Sequence, residues 1–506
     1  LKLKSWIQNM MTGDDDYDIY YTNGLNFYGY DFDTETETKI FSWLDCDVNT
    51  NDLSNQYVLS DGRIVAVTNE WDGKYENCTS ELITISKVPS SSLPQKTYIT
   101  LGTQGLSWDT QELIVKFNRN SDQYRIQVND YSEYNTDDDY SAGLTKLTTE
   151  IMAGNVPDIL DLNGFSVSQL AGKGLIADLD SFFDSDPDLN KSDFIPNVLA
   201  AFEVDGKLYS TVSNFNIQGV AGASSIVGDT PGWNYEQLQE ALAKMPEGCQ
   251  IFNYYTTSQD VLSSCLALDM GTLVDWTTGQ CNFDSQGFID MLKFSSQFQN
   301  DFNWDSYEYS DDDNDYTRIA QGKQMLLNTY ISDFNDLPMY DAIFGGSVTY
   351  IGYPTSSGTG NMLNFNNSGY AISARCENKD AAWQFIRTFF TEDFQKGQYG
   401  FPSNINAYNA KLKEAMTPEY QKDGDGNYVL DENGNKIEVS RGGVGWGNTM
   451  IELYATTQEQ ADKLWELITT TTKVADYSSS IYEIVNEQTP AFFSGQKSAE
   501  EVARLI

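Results

Sequence analysis

The stretch GNVPDILDLNG, residues 154–164, decides the fold of this chain. A glycine, a proline and an aspartate precede a short apolar run, which ends at Asn163-Gly164. The run is too short for a helix and has the length of one buried strand. Strands buried on both faces are typical of mostly parallel sheets, which bind ligands just beyond the carboxyl ends of their strands. We therefore expect a binding crevice directly after Leu162.

Strand and helix patterns alternate around this stretch. Apolar runs predict strands over 97–102 and 124–128, and Ser107 is placed to cap a helix between them. A second helix ends at Gly154, and its apolar face is formed by Leu144, Leu147 and Ile151. Capping-box patterns predict further helix starts, at Asn234 with Gln237, Thr457 with Gln460, and Ser498 with Glu501. The alternation predicts layers of helices packed on sheets, an α/β fold.

Residues 1–95 read differently, as strands separated by tight turns. The turn signals Asn23-Gly24 and Asp61-Gly62 are spaced by 38 residues, close to the ~40–45 residues of a propeller blade. We interpret 1–95 as a β-rich segment with propeller-blade-like repeats, either part of a propeller or an appendage without a true repeat. The sequence Ser90-Ser91-Ser92-Leu93-Pro94 predicts the linker to a second domain over 96–506.

Charge argues against polyanionic partners. The 506 residues include 31 basic and 74 acidic side chains, which leaves a net charge of −43. Phosphate backbones need clustered Lys and Arg, and anionic membrane surfaces repel an acidic chain. We therefore expect no nucleic-acid partner and no direct binding to a membrane surface.

The chain contains no histidine. This excludes Ser-His-Asp and Cys-His catalysis, imidazole general bases and zinc sites that use histidine. We expect a protein that is not an enzyme and that needs neither a cofactor nor a metal ion. A pair of carboxylates alone can hydrolyse glycosides, so a carboxylate-based glycosidase or lyase stays an alternative.

Two further sequence features are candidate disulfides and a candidate calcium-binding loop. The local cysteine pairs Cys46–Cys78 and Cys249–Cys265 are candidate disulfides, with free buried thiols as the alternative. The segment from Asp423 starts like a calcium loop, but it lacks the glycine at position six and the glutamate at position twelve. A β-hairpin, 427–430 with 436–439, explains that segment better.

A series of short motifs occurs in a familiar order after residue 150. They are AGNVPDIL (153–160), LAGKGLIADL (170–179), DGKLY (205–209), WNYEQL (233–238), AQGKQM (320–325), GYP (352–354) and NKDAAWQFI (378–386). This order, over about 410 residues, resembles the extracellular solute-binding proteins of ABC importers, which include maltose- and other oligosaccharide-binding proteins. The closing FSGQKSAEEV (493–502) resembles lipoprotein members from Gram-positive bacteria. The family often has a proline soon after the DGKLY motif, where this chain has Ser210-Thr211-Val212.

The resemblance implies a two-lobed periplasmic-binding-protein-like fold of type II topology. The first lobe would comprise about 97–212 and 345–402, and the second about 213–344 and 403–506. Such lobes close on a solute and present it to a membrane permease. The resemblance further implies a monomer on the extracellular face of the membrane, held by a lipid anchor outside this chain, or a secreted protein.

Two candidate ligand contacts follow predicted strands of the first lobe. Asn163 comes at the end of the opening strand, and its amide can donate to and accept from sugar hydroxyls. Trp108 follows the strand over 97–102, and its indole face can stack on a sugar ring. The alternatives are a simple turn at Asn163 and a packing role for Trp108.

Four further candidates belong to the second lobe. Asn214 and Asn216 lie just past the first crossing between lobes, and Tyr330 ends a predicted buried strand. By resemblance, Tyr330 and Trp446 lie near positions where the family stacks aromatic rings on its ligand. Trp446 has glycine on both sides and precedes a predicted helix through Ile451 and Leu453.

These observations favour a solute-binding receptor whose ligand is a carbohydrate. One alternative is a cell-surface peptide-binding or interaction protein in which propeller-like repeats dominate. The other is the glycosidase or lyase named above. The acidic composition disfavours anionic ligands under every one of these interpretations.

Overall fold

The computed structural model describes residues 7–71, 77–136, 138–276, 278–308, 310, 313–356, 358, 360–365, 369–446, 449–477 and 479–506. The chain divides into two compact units. The first unit comprises Leu1–Asn163 with Tyr370–Thr388, and the second comprises Gly164–Gly369 with Phe389–Ile506. Helices and strands occur in both, which confirms the predicted α/β class. The lobe boundaries expected from the sequence stay a prediction.

The chain begins with strands and then alternates. The N-terminal strands are β1 (Gln8–Thr12), β2 (Ile19–Asn23), β3 (Asn26–Asp31), β4 (Thr36–Ser42), β5 (Leu53–Val58), β6 (Ile64–Trp71) and β7 (Cys78–Ile85). The elements that follow are β8 (Thr97–Thr103), α1 (Trp108–Asn120), β9 (Tyr124–Asp130), α2 (Ala142–Ala153) and β10 (Ile159–Asp161).

Helices predominate from residue 164 onward. Up to residue 369 the elements are α3 (Val167–Gly172), α4 (Asp180–Ser185), α5 (Pro196–Ala201), β11 (Glu203–Val204), β12 (Lys207–Leu208), β13 (Asn214–Ala223), α6 (Ser224–Val227), α7 (Tyr235–Leu242), α8 (Ser258–Leu273), β14 (Val274–Asp275), β15 (Gln280–Cys281), α9 (Gln286–Ser295), α10 (Asp315–Ala320), β16 (Leu326–Ile331), α11 (Asp336–Phe344), β17 (Val348–Thr349) and β18 (Met362–Asn364). The remainder are β19 (Tyr370–Ile372), α12 (Lys379–Ile386), α13 (Glu392–Gly397), β20 (Phe401–Pro402), α14 (Ile405–Ala415), β21 (Gly443–Trp446), β22 (Thr449–Glu452), α15 (Gln458–Thr470), β23 (Lys473–Val474), α16 (Ser479–Gln488), α17 (Pro490–Phe493) and α18 (Ala499–Leu505). Among the helices of the described ranges, none combines the length and the hydropathy needed to cross a bilayer.

The N-terminal segment forms two antiparallel meanders, β1-β2-β3-β4 and β5-β6-β7. They share one apolar core, to which the first meander contributes Tyr20 and Phe27 and the second contributes Ile64 and Ala66. The alternation of buried and exposed residues along β6 explains this packing, since one face of the strand meets the core. The predicted β-rich character is confirmed. The relation to a propeller stays a prediction.

A second core joins this N-terminal segment to the rest of the first unit. Leu25 and Leu44 pack with Val115 of α1. The guanidinium of Arg125, in β9, donates to the carbonyl oxygens of Leu44 and Asp45, at 3.2 and 2.6 Å. The predicted linker separates the two regions along the chain, but side chains from both pack together in this small cluster.

The opening stretch of the sequence adopts the predicted conformation. Helix α2 ends at Gly154, which has a left-handed φ of 93°, and all of β10 is buried. The sheet has the order β19-β10-β8-β9, in which β8 runs parallel to both β9 and β10 and β19 is antiparallel. The carboxylate of Asp158 accepts hydrogen bonds from the N–H and the hydroxyl of Thr100, which fixes the register of β10 against β8.

Strand β13 organises the sheet of the second unit. Its ten residues pair with β16, β17, β18 and β20, and β18 pairs in turn with the parallel strand β23. Helices α8 and α9 cover this sheet with a large apolar cluster that includes Leu262, Leu266 and Phe288. The length of β13 and its burial make it the element against which the shorter strands align.

Local signals identified helix starts correctly. Ser107 caps α1, and the capping boxes at Asn234, Thr457 and Ser498 are present. The predicted helix through Ile451 and Leu453 is wrong. Ile451 instead lies in β22, which pairs with β21, because β-branched residues opposite a glycine-rich segment favour a hairpin.

Two smaller predictions have clear outcomes. All six cysteines are free, so neither local pair is bonded. In the predicted hairpin Leu430 pairs with Lys436, and the N–H of Ile437 donates to the carbonyl of Val429 at 3.0 Å. The hairpin is therefore confirmed next to its turn, whereas Tyr428 pairs with Lys422 and Glu438 pairs with Tyr420.

Candidate functional site

The carboxyl ends of β8, β9 and β10 meet at one edge of the first unit's sheet, because these strands are parallel. We call this the carboxyl edge; it comprises the loops that follow Thr103, Asp130 and Asp161. The hydroxyl of Thr103 donates to Oδ2 of Asp161 at 2.7 Å, and Asp161 is buried. Burial, followed by the charge of Asp161, raises the pKa of Tyr370 far above its usual range. A buried, hydrogen-bonded carboxylate therefore orders this edge.

Two of the predicted ligand contacts lie at the carboxyl edge. The N–H of Asn163 donates to Oδ1 of Asp161 at 3.0 Å, and Gly164 takes a left-handed φ of 79°. The turn considered as an alternative is thus present, while the side chain of Asn163 is exposed. Trp108 is the first residue of α1 and is 67% exposed. Both side chains are accessible beside the ends of paired strands, and their ligand roles stay predictions.

The second unit presents a polar face of its own. Directly opposed residues of antiparallel strands lie on the same face of a sheet. Gln218 of β13 is opposite Tyr330 of β16, and Asn216 is opposite Asn364 of β18, so these four residues share one face. Tyr330 is 37% exposed there. The hydroxyl of Tyr477 donates to Oε1 of Gln218 at 3.4 Å.

The two predicted asparagines of β13 are both buried. The amide of Asn214 donates to the carbonyl oxygens of Gln395 and Gly400, at 3.0 and 3.4 Å. Its donors therefore hold the end of α13 and the segment before β20 against β13. Asn216 lies on the polar face with Tyr330. Any contact of either asparagine with a ligand stays a prediction.

The remaining predicted residue, Trp446, ends β21 and pairs with Thr449 across the hairpin. Its side chain lies outside the described residues. Its stacking on a ligand therefore stays a prediction.

A group of five aromatic side chains escaped the sequence analysis. We call it the aromatic cluster; its members are Tyr254, Tyr255, Phe302, Trp304 and Tyr307. The rings of Phe302 and Trp304 are 4.9 Å apart, and Trp304 is 60% exposed. The available signals were the Tyr-Tyr pair and the density of aromatics over 302–307.

The backbone places the aromatic cluster beside β16. The N–H groups of Met325 and Leu326 donate to the carbonyls of Gln250 and Ile251, at 2.8 and 2.9 Å. Gln250 and Gln324 form a parallel bridge, so the chain runs past them in the direction of β16. The cluster therefore follows a segment aligned with the strand that carries Tyr330.

Polar groups lie beneath the aromatic cluster. The hydroxyl of Tyr255 donates to Oδ2 of Asp315 at 2.5 Å, and burial together with that contact raises the pKa of Tyr255 far above its usual range. The guanidinium of Arg318 lies 5.4 Å from the ring centre of Tyr254. Asn253 is buried, and within the described residues no hydrogen bond of good geometry reaches its amide. The cluster thus combines one exposed ring face, that of Trp304, with polar groups packed beneath it.

Comparison with known proteins identifies the family. The family model described as bacterial extracellular solute-binding protein matches residues 112–425, more than half of the chain. The chain belongs to this family. This match confirms the resemblance drawn from the motifs of the solute-binding protein. The family is one of binding proteins. Its N-terminal β segment lies outside the matched range. No curated protein sequence matches the chain significantly.

Several solved structures are similar to this solute-binding protein. One is an ABC substrate-binding protein from Listeria monocytogenes in complex with cycloalternan, 16% identical, with 81% of this chain and 97% of that chain covered and a TM-score of 0.44. The GacH receptor of Streptomyces glaucescens, solved with acarbose, is 14% identical, with 81% and 96% covered and a TM-score of 0.42. The maltose-maltodextrin binding protein of Alicyclobacillus acidocaldarius is 12% identical, with 81% and 98% covered and a TM-score of 0.40. The family assignment rests on the family model.

Proposed function

We propose that this solute-binding protein captures a carbohydrate, specifically an oligosaccharide, and delivers it unchanged to an ABC permease. The observation that carries the proposal is the aromatic cluster, in which the Trp304 side chain is 60% exposed. Sugar rings offer C–H faces that pack on aromatic rings, and hydroxyls that both donate to and accept from amides. Exposed Trp304 supplies such a ring face.

The carboxyl edge of the first unit also carries groups that can bind a sugar. Trp108 supplies an exposed indole, Asn163 an exposed amide and Asp161 an ordered carboxylate. Neutral hydroxyl-rich ligands suit such groups better than anions do, since the chain carries a net charge of −43. The composition of this edge therefore supports a sugar over an anionic solute.

Capture without chemical conversion is consistent with the state of the nearby carboxylates. Asp161 accepts hydrogen bonds from Thr103 and Asn163, and Asp315 accepts them from Tyr255 and Gln324. Carboxylates that accept hydrogen bonds from the protein's own hydroxyl and amide groups hold those groups in position, which is a structural role. We therefore propose a receptor rather than a glycosidase.

Calorimetric titration with neutral oligosaccharides and short peptides, combined with a product assay on the same samples, tests this function. We expect saturable binding of one glycan class without turnover. Trp304→Ala and Trp446→Ala should each weaken it by about tenfold or more, since each removes a large stacking surface. Trp71→Ala, which removes an exposed indole from β6, is the matched control and should leave affinity unchanged.

Other outcomes would separate the alternatives. Binding of peptides but of no oligosaccharide would support the solute-binding role and contradict the proposal of a carbohydrate ligand. Release of shorter glycans would contradict the receptor proposal and favour a carboxylate-based glycosidase.

A further inference from the structure

The loop after β9 lies at the carboxyl edge and carries an exposed aromatic ring. Residues Tyr131–Tyr134 form a 3-10 turn directly after this strand. Tyr134 is 53% exposed, whereas Tyr131 is buried. The two ring centres are 6.1 Å apart, and Nζ of Lys146 lies 5.6 Å from the ring centre of Tyr134. Since β8, β9 and β10 are parallel, this ring lies at the same edge of the sheet as Trp108 and Asn163.

Helix α2 holds the loop from one side. The hydroxyl of Tyr131 donates to Oε2 of Glu150 at 2.5 Å, and the N–H of Gly143 donates to Oδ1 of Asn135 at 2.8 Å. Gly143 approaches the loop so closely that a Cβ there would lie 2.2 Å from the carbonyl oxygen of Tyr131. The backbone beneath Tyr134 is therefore constrained.

The N-terminal β segment holds the same loop from the other side. Oε1 of Glu133 accepts hydrogen bonds from the amide of Asn26, in β3, at 2.6 Å and from Nζ of Lys39, in β4, at 3.1 Å. Asn26 is 4% exposed, so this contact is shielded from water on that side. Both donors precede residue 112, where the match to the family model begins. A part of the chain outside the matched range thus positions a loop at the carboxyl edge.

We propose that Tyr134 forms an additional carbohydrate subsite and that the N-terminal β segment positions it through Glu133. This inference rests on the proposed function. A ring carried by a loop that is held from two sides loses less conformational entropy when a sugar stacks on it, so it contributes efficiently to affinity. Tyr134 lies one loop away from Trp108 along the edge, so the subsite engages the outer units of longer oligosaccharides. Glu133, Asn26 and Lys39 are positioning residues.

The test uses the full chain and three oligosaccharide series, from maltose, cellobiose and mannobiose up to the corresponding hexasaccharides. Tyr134→Ala should weaken binding of the longest bound member about tenfold and leave the disaccharide within about twofold of wild type. Tyr134→Phe keeps the ring and should keep the affinity. Tyr98→Ala, which removes an exposed tyrosine near the start of β8 and thus at the opposite edge, is the matched control.

The positioning role has its own readout. Glu133→Ala removes the acceptor for Asn26 and Lys39 and should reproduce the length-dependent loss. Glu133→Gln retains an acceptor oxygen and should restore affinity for the long ligands. A loss that is equal at every ligand length, or no loss at all, would overturn the subsite while leaving the receptor function intact. Failure of the wild-type chain to bind any member would overturn the proposed function and the subsite together, and it would be visible before any variant is made.

Discussion

A buried carboxylate in α8 shows how one residue can link a loop to the core. Oδ2 of Asp269 accepts hydrogen bonds from the N–H and the hydroxyl of Ser356, both at 3.2 Å. Asp269 is 2% exposed, and its Oδ1 has no partner among the described residues. Burial raises the pKa of Asp269, and the hydrogen bonds from Ser356 only partly oppose the shift. The ionised form is therefore costly in the folded protein.

This raised pKa predicts a pH-dependent effect of Asp269→Asn. The native state holds the proton of Asp269 more tightly than the unfolded state, whose pKa is about 4. Native stability therefore falls as the pH rises from that value through the folded-state pKa. The asparagine cannot ionise and still accepts from Ser356, so the variant should melt at a higher temperature than wild type at about pH 7, with the advantage shrinking towards about pH 4. Thermal melts across that range check this, with the exposed Asp305→Asn as control.

At the scale of elements, the turn from α2 into β10 depends on one glycine. Gly154 has a φ of 93°, and a Cβ at this position would lie 2.5 Å from Nη1 of Arg375. The same guanidinium nitrogen donates to the carbonyl oxygen of Gly154 at 3.1 Å. The helix end and the turn therefore require a left-handed backbone conformation, which glycine adopts without strain.

Gly154→Ala should lower the free energy of unfolding by about 1 kcal/mol, since it places a side chain at a left-handed φ, whereas the flexible guanidinium of Arg375 can move aside. Denaturant titration measures the change. Gly271→Ala is the matched control, because Gly271 lies inside α8 and a Cβ there meets nothing within 4 Å. That substitution should be neutral or stabilise by about 0.5–1 kcal/mol. Equal effects of the two alanines would contradict the role assigned to the turn.

At the scale of the whole molecule, the N-terminal β segment and the first part of the solute-binding region fold as one unit. Leu25 and Leu44 cover Val115 of α1. The hydroxyl of Thr50 also donates to Oε1 of Gln111, on the same helix, at 3.0 Å. Removing the segment would expose an apolar face of the helix whose first residue is Trp108.

A chain that begins at residue 96 should therefore unfold at a lower temperature than the full chain and bind a hydrophobic dye. Calorimetric melting and dye fluorescence measure both effects. Residues 1–95 supplied as a separate polypeptide should restore part of the loss, because the interface is preserved. An unchanged melting temperature would show that the segment is an independent appendage.

The parts of this fold that were predictable are those encoded by neighbouring residues. The strand at Ile159, the cap at Ser107 and the glycine stop at Gly154 each depend on side chains within a few positions of one another. The helix expected after Trp446 failed because pairing between β21 and β22 outweighs local propensity. The aromatic cluster was missed because Tyr255 and Trp304 are 49 positions apart in sequence and meet only through packing.

By itself, the sequence determined the α/β class, the family, the absence of histidine chemistry and a charge that disfavours anionic partners. These properties follow from composition, local periodicity and motif order. Only the tertiary structure decided which rings and amides share an edge, that Asn214 is bound to backbone carbonyls, and that the N-terminal β segment holds Glu133. The physical reason is that strand register and core packing bring together residues that are distant along the chain, and no local pattern encodes those encounters.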